Sequence, residues 1–93
     1  MTTDQRPVAL ITGASAGIGA AAAFELVRSG YRVVAMARSA DKLQQLVDQI
    51  ADEGGSATFV AGDMSSYEDM SSAVSTCEER FGRLDVLVNN TIA

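Results

Sequence analysis

Gly13, Gly17 and Gly19 stand in a Gly-x-x-x-Gly-x-Gly spacing between an apolar run, Val8 to Thr12, and an alanine-rich stretch that begins at Ala20. Glycines in such a place let the chain turn sharply, let a ligand approach the backbone and let a helix lie close on a strand. Backbone N–H groups around Gly17, Ile18, Gly19 and Ala20 would then point outward at the positive end of a helix dipole. A pyrophosphate is the natural occupant of that terminus. The spacing differs from the general dinucleotide fingerprint and from the Lys-bearing P-loop, so the reading rests on a strand before the loop and a helix after it. A glycine-rich turn that holds no ligand is the alternative.

A second feature lies further on. At the end of the second strand of a dinucleotide-binding fold, ~20 residues past the glycines, an acidic side chain binds ribose hydroxyls and repels a 2′-phosphate. Here that place holds Ala37, followed by Arg38 and Ser39. A guanidinium beside a small neutral residue suits a 2′-phosphate, and Ser39 adds a hydroxyl and a helix N-terminal amide at the same spot. The expected cofactor is therefore NADP(H) in preference to NAD(H). A solvated charge at a strand end is the other reading of Arg38, and Lys42 reads as an exposed charge one turn later.

The elements that would position these residues follow from the apolar pattern. Val8 to Thr12, Tyr31 to Ala37, Ala57 to Ala61 and Leu84 to Val88 read as strands. Ala20 to Ser29 reads as the first helix, with Gly30 as its stop. Leu43, Leu46, Val47 and Ile50 mark one face of a second helix, capped by Ser39 and closed by Gly54 and Gly55. Met70, Ala73, Val74, Cys77 and Phe81 mark a third, preceded by a capping box from either Ser65 with Glu68 or Ser66 with Asp69, and ended by Gly82. The sum is an α/β chain, β-α-β-α-β-α-β, with no repeats or linkers. It predicts one partial, Rossmann-like doubly wound parallel sheet over residues 1–93, strand order 3-2-1-4, with a crevice where the order reverses. The outer edge of the fourth strand is expected to be bare and adhesive, a route to self-association.

Thr12 to Gly19, read as Thr-Gly-Ala-Ser-Ala-Gly-Ile-Gly, resembles the Thr-Gly-x-x-x-Gly-x-Gly motif of short-chain dehydrogenases/reductases. Phe81 to Asn90 is similar to that family's stretch into its Asn-Asn-Ala-Gly motif, so the two motifs bracket nearly the whole chain. The resemblance implies that Gly13, Ser15, Ala16, Gly17, Ile18 and Gly19 form the cofactor loop. It also implies that Asp63 bonds the adenine amino group with Met64 alongside, and that Asn90 lines the cofactor near its ribose. By the same resemblance Asn89 braces the central sheet. Asp63 reads equally as a local turn or capping residue, and Asp85 as structural. Ala16 occupies a place where some members carry a basic residue, and adds nothing to the NADP preference.

The family's catalytic Ser, Tyr-x-x-x-Lys pair and later Asn have no counterparts. Tyr31 and Tyr67 are followed four positions on by Ala35 and Ser71. No residue is therefore assigned a catalytic role. The chain also departs from the family where residues 89–93 read Asn-Asn-Thr-Ile-Ala. The resemblance implies the cofactor-binding fragment of an NADP(H)-dependent alcohol or carbonyl oxidoreductase, lacking the catalytic part. A non-catalytic nucleotide-binding or regulatory module and an inert truncated product are the alternatives.

Composition narrows the classes further. With 93 residues, a formal charge of −5 and seven Lys and Arg, a nucleic-acid surface would be built against the net field. Cys77 alone cannot close an intrachain disulfide, and the absence of His removes zinc sites and His-based triads. Cys77 reads as a small buried hydrophobe. No apolar run approaches the length of a membrane span, and residues 1–7 carry no signal-peptide pattern, so the chain is expected in the cytoplasm.

Overall fold

A computed structural model describes residues 4–90. In chain order the elements are β1 (Val8–Thr12), α1 (Gly17–Arg28), β2 (Arg32–Ala37), α2 (Ala40–Asp52), β3 (Ala57–Ala61), α3 (Tyr67–Phe81) and β4 (Val86–Asn89). All pairings are parallel and the sheet runs β3-β2-β1-β4, as the alternation predicts. The expected end pattern of residues 91–93 lies outside the described residues.

Side chains alternate across the strands with a period of two, and this sorts the core into two layers. Ile11, Val33 and Ala35 face α1 and α2, where they meet Ala23, Leu43, Leu46 and Ile50. Val8, Leu10, Val34 and Met36 face the other way, onto Ala73 and Cys77 of α3. Both faces of β1 and β2 are thus covered, which is why these strands are near-continuous apolar runs. Alanines in α1 let that helix approach the sheet closely. Burial pushes the Cys77 thiol up to about 11, so it packs as a small apolar group at neutral pH.

One helix start differs from the sequence pattern, and two agree with it. α1 begins at Gly17 instead of Ala20, so two of the three glycines belong to its first turn. Ser39 caps α2, its Oγ accepting the Lys42 N–H at 3.4 Å. At α3 the Ser66 alternative holds, with Ser66 Oγ accepting the Asp69 N–H at 3.2 Å. Ser65 instead turns its hydroxyl to Asp63.

The fourth strand starts two residues later than its apolar run suggests and ends one residue later, at Asn89. Leu84 packs under α3, and Asp85 fastens the strand entry: its N–H donates to the Val8 carbonyl at 2.9 Å. The Asp85 carboxylate accepts the Val8 N–H at 2.8 Å and two bonds from the Arg83 guanidinium. Arg83 and then the Val8 N–H hold this carboxyl below its ordinary range. A folded-state pKa that is depressed stabilises the fold above the unfolded value and loses that contribution as pH falls through the folded one. Acid titration of stability should therefore steepen below about pH 4, and Asp85→Asn should lower neutral stability while flattening that limb. Urea midpoints measured from neutral to strongly acid pH check both; an unchanged acid slope in the variant would remove Asp85 from this role.

Arg32 is a buried charge that the sequence pattern did not single out. Its guanidinium donates to the Arg6 carbonyl at 2.6 and 3.2 Å and stacks over Phe81, 5.0 Å from the ring centroid. It ties residues before β1 to β2 at the amino end of the sheet, away from the strand ends that bear the glycine loop.

Candidate functional site

The glycine loop leaves β1 at its carboxyl end. Gly13 has φ +64° and Gly17 φ +60°, both in the left-handed region that side chains other than glycine disfavour. Gly19 is needed for space: a Cβ there would fall on the Gly13 carbonyl and within 2.9 Å of Asn90 Nδ2. A Cβ on Gly17, by contrast, would meet nothing within 4 Å. The three glycines therefore bend the chain, seat α1 against the loop, and leave the start of α1 open on its outer side.

That helix start has no side-chain cap. Its N-cap is Ala16, which offers no acceptor, while α2 and α3 are capped by serines. The first N–H groups of α1 lack the intrahelical acceptors of later turns, so the terminus presents donors and positive dipole. Beside it Ile18 is 80 % exposed, a large apolar side chain left uncovered.

At the carboxyl ends of β1, β2 and β3 a cavity of about 270 Å³ opens next to the loop. It is lined by Gly13 and Ser15 of the glycine loop, by Met36, Ala37, Arg38 and Ser39 at the end of β2, with the exposed Arg38 at its mouth, and by Gly62 and Met64 after β3. The sequence-predicted residues Gly13, Ser15, Arg38, Ser39 and Met64 are thus brought together from three separate loops. Arg38 is exposed and forms no ion pair with any described residue. Ala16 lines a second hollow instead, between α1 and α2, which also carries Lys42.

Asp63 is held by local bonds. Its Oδ1 accepts the Ser65 N–H at 2.8 Å and the Ser65 hydroxyl at 2.7 Å, and its own N–H donates to Asp69 Oδ2 at 2.8 Å. The Ser65 bonds, with a smaller contribution from the charge of Arg38, hold its carboxyl below the ordinary carboxylate range. The turn reading of Asp63 is therefore satisfied in the geometry.

Asn90 lies against the loop. Its Nδ2 donates to the Gly13 carbonyl at 3.2 Å, and its N–H donates to Thr12 Oγ1 at 3.0 Å. The Thr12 hydroxyl, fully buried, donates onward to Asn89 Oδ1 at 3.1 Å. Thr12 was legible only as the first letter of a motif; its work is to knot the ends of β1 and β4 beneath the glycines. Tyr67 is exposed at the start of α3, and no group of three metal-ligating side chains occurs among the described residues. None of the described helices is long and apolar enough to cross a membrane.

A family model described as short chain dehydrogenase matches residues 7–92. The chain is 46% identical over 89 residues to an A-factor type gamma-butyrolactone 1'-reductase (1S-forming) of Streptomyces virginiae, covering 96% of this chain and 34% of that protein. Among solved structures, an actinorhodin polyketide ketoreductase variant with NADPH superposes with a TM-score of 0.91 at 35% identity, covering 100% of this chain and 36% of the other. L-Sorbose reductase from Gluconobacter frateurii, complexed with NADPH and L-sorbose, gives 0.90 at 33% identity over 98% of this chain and 35% of its own. The chain thus spans about a third of the length of these relatives.

Proposed function

Since the chain belongs to the short chain dehydrogenase family, we propose that it is the cofactor-binding part of an NADP(H)-dependent reductase acting on an alcohol or carbonyl group. The observation that carries the reading is the cavity at the ends of β1 to β3, with Arg38, in no ion pair among the described residues, at its mouth and the uncapped start of α1 beside it. The relatives solved with NADPH support a nicotinamide dinucleotide as the ligand class.

In this reading the pyrophosphate lies on the N–H groups at the start of α1, opposite the open side of Gly17. The adenosine end enters the cavity, where Arg38 and Ser39 hold the 2′-phosphate and Met64 packs on the adenine. Asp63 keeps its Ser65 bonds and offers its remaining carboxylate oxygen to the adenine amino group. Asn90 fixes the Gly13 carbonyl and so the loop that the ribose passes, and Ser15, Ala16 and Ile18 shield the phosphates. The bound nicotinamide supplies hydride; the residues of this chain bind and orient.

The test is a titration of the purified chain with NADPH and NADH, read by thermal stability and by calorimetry. Saturable binding with a preference for NADPH is expected. Absence of any NADPH-dependent stabilisation would overturn the proposal.

We place self-association in the same reading. Among the described residues β4 pairs with β1 alone, and Leu87 on its α3 side is 50 % exposed. An unpaired apolar edge of this kind pairs with another chain. Sedimentation velocity across a concentration series should show reversible dimers that Leu87→Lys suppresses; a strictly monomeric parent chain would refute it.

A further inference from the structure

Asp69 makes contacts that a helix-capping residue does not need. In a capping box the N3 carboxylate reaches back to the N–H of its own cap. Here Asp69 is the N3 residue of α3, with its N–H on Ser66 Oγ at 3.2 Å, yet its Oδ2 accepts the N–H of Asp63 at 2.8 Å. That bond spans the whole β3–α3 turn. The same side chain fills the space over Gly62, where a Cβ would come within 3.1 Å of the Asp69 Cβ and 3.2 Å of its carboxylate.

Gly62 and Met64, on either side of Asp63, line the cavity. The Gly62 N–H donates to the Ala37 carbonyl at 2.8 Å, which fixes the start of the turn to the end of β2, one residue before Arg38. The start of the turn is thus held twice, by the end of β2 at Gly62 and by the Asp69 carboxylate of α3 at Asp63. A charged acceptor on a backbone N–H makes a strong, directional bond in a partly buried setting.

We infer that Asp69 is a positioning residue that sets the wall of the cavity against which the adenosine end of the ligand docks. This rests on the cofactor reading above. Asp69 touches no ligand itself; it acts through Asp63 and the residues on either side. Without its acceptor, the Asp63 N–H must turn to water, and Met64 leaves the register that closes the cavity.

Two probes separate this role from a general contribution to folding. 2′,5′-ADP reports on the cavity, and inorganic pyrophosphate on the start of α1. In the parent chain both should bind. Asp69→Ala should weaken 2′,5′-ADP about tenfold while leaving pyrophosphate within about twofold, because the glycine loop shares no bond with Asp69. Asp69→Asn keeps an acceptor oxygen and should recover 2′,5′-ADP to within about threefold of the parent. The Asp63 amide proton resonance should move upfield in the Ala variant and return toward the parent position in the Asn variant. Equal weakening of both probes in Asp69→Ala, or an unmoved Asp63 amide, would overturn the inference and leave the cofactor reading standing. If the parent binds neither probe, the cofactor reading falls and takes the positioning role with it.

Discussion

Arg38→Asp is expected to weaken NADPH binding by ~100-fold while NADH binding stays within about threefold of the parent value. The guanidinium stands at the mouth of the cavity with no carboxylate among the described residues paired to it, so its hydrogen-bonding capacity is free for a phosphate. A charge-assisted bond of this kind contributes about 1.5–3 kcal/mol when formed, less where solvent screens it, as at this exposed position. Reversing the charge adds repulsion toward the 2′-phosphate, and a total near 2.7 kcal/mol corresponds to two factors of ten. NADH carries no 2′-phosphate. An aspartate at this place gains ribose hydroxyls as partners, which offsets the change in local field. Calorimetric titration of both cofactors into both chains measures the crossover. Equal loss of both would show that Arg38 supports the fold of the loop and reads no phosphate. Raising salt should also weaken NADPH more than NADH in the parent chain, since only the former gains the extra ion pair.

Strand order and the meeting of the three loops at one end of the sheet were legible because each rests on a strong local signal. Val8 and Leu10 against Ala9 and Ile11 give a strand buried on both faces, which is a parallel strand, and the helices between such strands fix the crossovers. Arg38 was legible from its place after β2 alone. The parts that were not legible depend on which of several available partners a polar group takes. Asp63 offers its Oδ1 to Ser65 and its N–H to Asp69, and nothing in the order of residues 62–69 distinguishes that arrangement from the capping box. Arg32 is buried because Arg6 and Phe81 supply a carbonyl and a ring, partners drawn from opposite ends of the chain. The sequence pattern puts the start of α1 too late for a different reason. Glycines argue against helix on propensity, yet Gly19 belongs in the helix because only hydrogen fits above the Gly13 carbonyl.

The largest stability effect is expected at Gly19. Gly19→Ala places a methyl group on backbone, the Gly13 carbonyl, with Asn90 Nδ2 at 2.9 Å on its other side. A peptide carbonyl held between β1 and the loop cannot yield as a flexible side chain does, so α1 must move off the loop. The expected cost is about 3 kcal/mol, a large share of a total stability on the order of 5–14 kcal/mol for a chain of 93 residues. For a domain of this size that is a fall in Tm of roughly 12–24 °C. Gly17→Ala behaves differently. Its φ of +60° costs about 1–2 kcal/mol for an L-residue, but the added Cβ has open space around it. The fold therefore survives, and the damage falls on the ligand that approaches through that space, with NADPH expected to bind about tenfold more weakly. Thermal melts and NADPH titrations of the two variants side by side separate the roles. An unshifted Tm for Gly19→Ala would contradict the close approach of α1 to the loop, and parental NADPH affinity in a folded Gly17→Ala chain would place the pyrophosphate elsewhere.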